Sequence, residues 1–206
     1  MLTPERAVNW AWGLWALSWW AAAVWRKPAA SRAGFGAEAL HLSVTLLGFV
    51  LVFATPAAIR WGLDRVSLED PGVLRLWRAG AVVSWILFAA TAGGFAFCWW
   101  ARIHLGALWS GSVTRKADHR VIEAGPYALV RHPIYTGLIV SSLATAALRG
   151  TAFSLIGAGL VVLGLWFKGR LEERFLRAEL GTADYDAYAA RTPMLVPRLW
   201  PAPAKS

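Results

Sequence analysis

The sequence predicts an all-α integral membrane protein of about five transmembrane helices, with a helical hairpin and a cofactor pocket on the cytoplasmic side. Three observations carry this. First, 57% of the 206 residues are hydrophobic and only 16% are charged, against about 45–50% and 25% in a soluble domain. Second, the apolar residues gather into long stretches without formal charge. Third, the basic residues segregate between alternate connections, as membrane topology demands.

A helix needs about 20 mostly apolar residues to span a bilayer. Val8–Trp25, Ala39–Ile59 and Ala79–Ala101 meet that need and form three spans within 8–101. Ile134–Leu148 and Thr151–Phe167 are shorter and separated only by Arg149-Gly150. They read as a tight hairpin over 134–167. Glu5 beside Arg6 replaces the basic start of a secretory signal. The whole chain, 1–206, reads as one membrane domain. Of the 21 Lys and Arg, 15 fall in Arg26–Glu38, Arg102–Pro133 and Lys168–Ser206, and six fall elsewhere. The positive-inside rule therefore predicts an outside N-terminus, with a motif loop (102–133) and a C-terminal segment (168–206) both cytoplasmic, in an inner or equivalent membrane. The Trp residues at 10, 12, 15, 19, 20, 25, 99 and 100 read as an interfacial belt plus lipid-facing bulk.

Several function classes are excluded. The net charge of +9 follows topology and not one soluble face, so no nucleic acid is expected as partner. A lone Cys98 forbids an intrachain disulfide and reads as a small core residue. His41, His104, His119 and His132 lack paired spacing, so no metal site is expected. His41 and His104 read as packed or interfacial residues. The spans carry no ionisable residue between their ends except His41, which argues against an ion-coupled transporter. A non-catalytic membrane scaffold or a small transporter is the rival class.

The chemistry gathers in two hydrophilic segments. His119–Gly137 holds His119, Tyr127, Arg131, His132 and Tyr135 with two Pro and two Gly. Pro133 pushes His132 out of the helical region, so His132 sits where a loop bends into the fourth span. After the hairpin, Gly169–Leu180 reads as an amphipathic helix stopping at Gly181, followed by a short helix over Asp184–Arg191 and a tail marked by Pro193 and Pro197. On a helix Lys168 meets Glu172, and Arg170 meets Glu173. Paired acids at a membrane mouth, facing cations and aromatics, suit a zwitterionic ligand. The bland alternatives are a headgroup-binding loop and a solvated ion-paired face.

The run G-P-Y-A-L-V-R-H-P-I-Y-T-G-L, followed after the hairpin by E-E-R-F-L, G-T-A-D-Y-D-A-Y and R-T-P-M-L-V-P, resembles the isoprenylcysteine carboxyl methyltransferase family, within a wider group of phospholipid methyltransferases. The resemblance implies a membrane enzyme using S-adenosylmethionine without a Rossmann sheet. It implies cofactor contacts at Ser112, His119, Arg120, Val121, Ile122, Tyr127, His132, Pro133, Ile134 and Tyr135, with the acid that holds the methionyl amine best matched by Glu172, and Glu173 beside it. The substrate-side cation is left between Lys168 and Arg170, with Arg191 and Arg131 as further cationic candidates. The acceptor implied is lipophilic or lipidated and carries a carboxylate. A phospholipid amine or a thiol are the alternatives.

Overall fold

The computed structural model describes residues 2–25, 31–32, 35–54, 75–106, 109, 114–115, 122–180 and 182–197. The last five residues of the expected span two (55–59), and the expected cofactor contacts Ser112, His119, Arg120 and Val121, lie outside these residues. Among the described residues six α-helices carry the fold: α1 (Pro4–Ala21), α2 (Phe35–Phe53), α3 (Ala81–Leu105), α4 (Pro133–Arg149), α5 (Ala152–Leu180) and α6 (Thr182–Arg191). A two-residue ladder pairs β1 (Ser31–Arg32) with β2 (Thr114–Arg115).

The helix limits follow local chemistry. At α1, Thr3 is the N-cap, its hydroxyl accepting from the Arg6 amide at 3.4 Å, and Pro4 occupies the first turn, where its missing N–H costs nothing. Pro133 opens α4 in the same way. Gly150 ends α4 in the left-handed region at φ 61° and turns the chain directly into α5. α3 and α5 are long and apolar enough to cross a membrane.

Two seams bring helix backbones together. Between α3 and α4, a side chain at Gly137 would collide with the Gly94 carbonyl and with Cys98 Sγ, the latter at 2.6 Å. Between α2 and α5, a side chain at Gly157 would meet the amide of Val52 at 2.5 Å. Lipid offers apolar groups no hydrophobic drive to leave it, so close backbone approach through small residues is what holds such pairs. Above these seams Trp12 is a buried hub. Its ring meets Phe95 at 4.7 Å and Phe49 and Phe53 at 5.4 Å. Its indole N–H donates to Thr145 Oγ1 at 3.0 Å. Trp10 and Trp20 stay exposed, at 68% and 78%. The Trp residues of α1 are thus divided between core and surface, where the sequence suggested surface alone.

A second difference concerns the C-terminal half. Gly169–Leu180 is not a separate amphipathic helix. It continues the preceding span as one 29-residue helix, because no proline or cap interrupts it. At 1.5 Å per residue this is about 44 Å, longer than the roughly 30 Å hydrocarbon layer. The apolar part ends at Phe167, and the remaining turns carry Lys168, Glu172 and Glu173 beyond it. At Gly169 a side chain would strike the Met194 methyl at 2.5 Å, so glycine lets the C-terminal tail lie on α5.

Gly137→Ala should destabilise the α3–α4 seam by about 1–3 kcal/mol, the usual cost of overpacking. Thermal unfolding in detergent checks this, with Gly13→Ala, which meets no neighbour, as reference.

Candidate functional site

The polar cluster forms where four elements meet: the 125–132 turn, the start of α4, the extension of α5, and α6 with its tail. Gly125–Ala128 makes a 3-10 turn, and Tyr127 and Pro126 are buried in it. Ile122 lies half-buried just ahead of it. The Tyr188 hydroxyl of α6 donates to the Tyr127 carbonyl at 2.7 Å. The tail then runs alongside the motif in the same direction. The amides of Arg131 and His132 donate to the carbonyls of Pro193 and Met194 at 2.8 and 3.1 Å. Thr136 Oγ1 donates to the Leu195 carbonyl at 2.6 Å. These bonds hold Arg131 and His132 in non-helical backbone, His132 at φ −123°, ψ 65°.

Glu173 sits at the centre, with 1% of its surface exposed. Arg131 Nε donates to its Oε1 at 2.8 Å, and His132 Nε2 lies 3.2 Å from the same oxygen. Arg177 approaches the other oxygen at 3.8 Å and also binds Asp186 on α6 at 2.6 Å. The rest of the Arg131 guanidinium goes to the carbonyls of Ala189 and Thr192. Glu172 lies on the adjoining face. It accepts from the Tyr135 hydroxyl at 2.6 Å, and His132 Nδ1 stands 3.4 Å from its Oε2. The His132 ring stacks on Tyr135 at 5.2 Å with planes 6° apart.

His132 therefore faces a carboxylate from each ring nitrogen. Only the imidazolium donates from both. Burial alone would lower its pKa, but the two glutamates outweigh burial and raise it. Glu173 mirrors this: burial pushes its pKa up, and the bonds from His132 and Arg131 bring it down to about 2. The two acids differ in what they leave open. Glu173 is enclosed by its cations, whereas the Glu172 side chain keeps 20% of its surface exposed. Glu172 is thus the acid available to a ligand ammonium.

The structure assembles Tyr127, Arg131, His132, Pro133, Tyr135, Glu172 and Glu173 around this cluster, and packs Ile134 with Tyr135 against Val161 and Leu165. Lys168 joins them, its ammonium 5.3 Å above the Tyr135 ring. Arg170 lies on the outer face of α5 over Trp166, at 5.8 Å, and not against Glu173 as the spacing suggested. Arg191 is exposed and pairs with Glu123, away from the acids. Arg177, Asp186 and the 193–195 strap are parts of the cluster that local sequence reading passed over. Their only signal was the charge pattern on α5 and the R-T-P run. Among the described residues no group of His, Cys, Asp and Glu forms a metal site.

The linkage signs give a pH window. His132, with its pKa raised, stabilises fully below its ordinary 6.5, and this is lost as pH rises through the folded value. Glu173, with its pKa lowered from 4.5, stabilises above 4.5, and this is lost as pH falls towards 2. Thermal unfolding in detergent should therefore show a stability maximum between these limits. His132→Asn should flatten the alkaline limb, and an unchanged alkaline limb would show that His132 is not the group responsible.

Residues 85–178, which contain the R-H-P turn and both glutamates, match the isoprenylcysteine carboxyl methyltransferase family. Over 87 residues the chain is 33% identical to protein-S-isoprenylcysteine O-methyltransferase B of Arabidopsis thaliana, covering 41% of this chain and 43% of that protein. Over 76 residues it is 41% identical to methanethiol S-methyltransferase 2 of Bradyrhizobium diazoefficiens, covering 36% and 27%. It is 30% identical over 105 residues to the cobalt-zinc-cadmium resistance protein CzcN of Cupriavidus metallidurans, covering 46% and 44%. The matched part spans less than half the length of each of these relatives. The shared segment is the one that builds the ion-paired cluster, and it is over this segment that the chain is similar to the isoprenylcysteine carboxyl methyltransferase family.

Proposed function

We propose that the protein is an S-adenosylmethionine-dependent methyltransferase that acts at the membrane on a lipophilic acceptor, with a carboxylate as the methylated group. The observation that carries this reading is the difference between the two acids. A saturated Glu173 fixes the frame, and a partly open Glu172 is held ready by Tyr135 and His132. Such a carboxylate suits the ammonium of the cofactor's methionyl end.

When bound, the cofactor supplies a methyl group on a sulfonium, which leaves as a neutral thioether. The residues of the chain do the rest. Glu172 binds the ammonium. Tyr135 and His132 keep Glu172 ionised and oriented. Lys168, over Tyr135, is the cation on the acceptor side. An ionised carboxylate needs no general base, so positioning and water exclusion are what the protein must provide. Arg131 is occupied by Glu173 and two carbonyls, and serves the frame. A thiol acceptor is the second reading, favoured by the likeness to a protein named for methanethiol.

The topology belongs to the same proposal: five spans, N-terminus outside, and the cluster on the cytoplasmic side. The Lys and Arg distribution supports it. Leu76 lies beside the α4–α5 hairpin tip, its amide bonded to the Gly150 carbonyl at 2.7 Å. Glu123 lies just ahead of the 125–132 turn and pairs with Arg191. Cysteines placed at these two positions should label from opposite sides, Leu76→Cys from outside and Glu123→Cys from the cytoplasm. The reverse pattern would invert the proposed orientation.

Calorimetry on detergent-purified protein tests the cofactor. Glu172→Gln should lose about 1.5–3 kcal/mol of S-adenosylmethionine affinity, the worth of a hydrogen bond to a charged group. Glu5→Gln, in the first turn of α1, should lose none. Equal affinity in Glu172→Gln and wild type would remove Glu172 from the cofactor site.

A further inference from the structure

The seam between α2 and α5 runs in antiparallel register. A side chain at Gly157 would meet Val52, one at Gly48 would meet Val161, and one at Gly164 would meet Thr45 and, at 3.1 Å, the His41 carbonyl. Positions 52, 48, 45 and 41 recur at helical spacing on α2. Positions 157, 161, 164 and 168 do so on α5. His41 therefore faces α5 at the level of Lys168, at the end of the seam where the polar cluster begins.

His41 is 7% exposed. Its Nε2 is buried and has no hydrogen-bond partner among the described residues. The charges that act on the ring are those of Lys168, Glu38 and Glu172. Lys168 stands over Tyr135, and Tyr135 holds Glu172. A buried imidazole nitrogen left without a partner carries its full desolvation penalty unless a ligand meets it. Here the acid assigned to the cofactor and the cation assigned to the acceptor are among the charges that act on that ring. His41 also lies outside the family-matched residues 85–178, in the half of the chain where a trait particular to this protein would reside.

We propose that His41 is an acceptor-binding residue: its Nε2–H donates a hydrogen bond to the acceptor carboxylate, which lies at the mouth of the α2–α5 seam between His41 and Lys168. This rests on the methyltransferase reading above. The apolar tail of the acceptor then extends along the lipid-facing side of the seam, where Leu42, Leu46 and Leu163 are exposed.

The test uses full-length protein in detergent with two variants. His41→Phe keeps the ring volume and removes the donor. His41→Gln returns an N–H near the Nε2 position. S-adenosylmethionine affinity is read by calorimetry. Methyl transfer from labelled cofactor is read with an S-prenylated cysteine, a long-chain fatty acid and methanethiol. His41→Phe should raise the KM for the acid acceptor about tenfold or more, the loss expected for one hydrogen bond to a charged group. It should leave cofactor affinity within about twofold, since His41 contacts the acceptor alone. His41→Gln should recover most of the loss. An unchanged KM in His41→Phe, or a loss that tracks cofactor affinity, would overturn the proposal. A wild type that binds no cofactor would fell the methyltransferase reading itself. A wild type that binds it yet methylates neither acid would leave that reading standing and remove the His41 subsite.

Discussion

One buried anion organises the C-terminal half of this protein. Glu173 has almost no contact with solvent and is held by Arg131 and His132 from the motif turn, with Arg177 at longer range. Moving a carboxylate out of water costs several kcal/mol, and its cations offset this only when all are in place. The cluster therefore forms as a unit. Arg131 brings the carbonyls of Ala189 and Thr192 with it, and Arg177 brings Asp186. The end of α6 and the tail are thereby tied to α5 and α4. Such a cluster contributes little net stability beyond an apolar equivalent. What it provides is a fixed geometry in which a second acid, Glu172, is held without being enclosed.

The helix seams explain why this anion can sit where it does. An isolated charge inside the hydrocarbon layer would be prohibitive. α5 avoids this by length. Its apolar turns pack on α2 through glycine contacts, and its last turns project past the apolar zone. Close approach at Gly94 and Gly137 brings α4 against α3 and sets the height at which Pro133 starts the helix. The motif turn and the acids then arrive at the same level from opposite sequence directions. Some polar groups within the bundle are satisfied locally, as the Trp12–Thr145 bond and the Ser141–Thr91 bond at 2.9 Å show, whereas His41 Nε2 is not.

Much of this was legible in the sequence where the signal is local. Pro133 and Gly150 mark helix ends through backbone chemistry that needs no tertiary context. The R-H-P turn and the Glu pair stood out because polar, titratable residues are concentrated beside apolar spans. What could not be read depends on helical phase and on distant partners. Residues 168 and 172 share a face of α5, whereas 170 lies about 200° from 168 at 100° per residue. Which face meets α4 is decided only by packing. Arg191 was plausible near the acids until its partner proved to be Glu123, 68 residues earlier in the chain. Trp12 looked like its neighbours in composition and differs from them in facing Phe49 and Phe53 and in donating to Thr145.

The two halves of the chain carry different constraints. The cluster around Glu173 is a closed electrostatic unit. Each of its charges answers another, so a change at one member strands the rest. Such a unit tolerates little variation and is readable as a motif. The acceptor side proposed above has no such closure. Its proposed contacts are one cation, one orphaned imidazole nitrogen and apolar helix faces, and the nucleophile they would accommodate differs in charge and size from one acceptor to another. A carboxylate brings its own negative charge and asks for donors. A thiol brings a proton and asks for an acceptor or base. Exchanging one chemistry for the other therefore requires changes on α2 and at the α5 face around Lys168, while Glu172, Glu173, Arg131 and His132 can stay as they are.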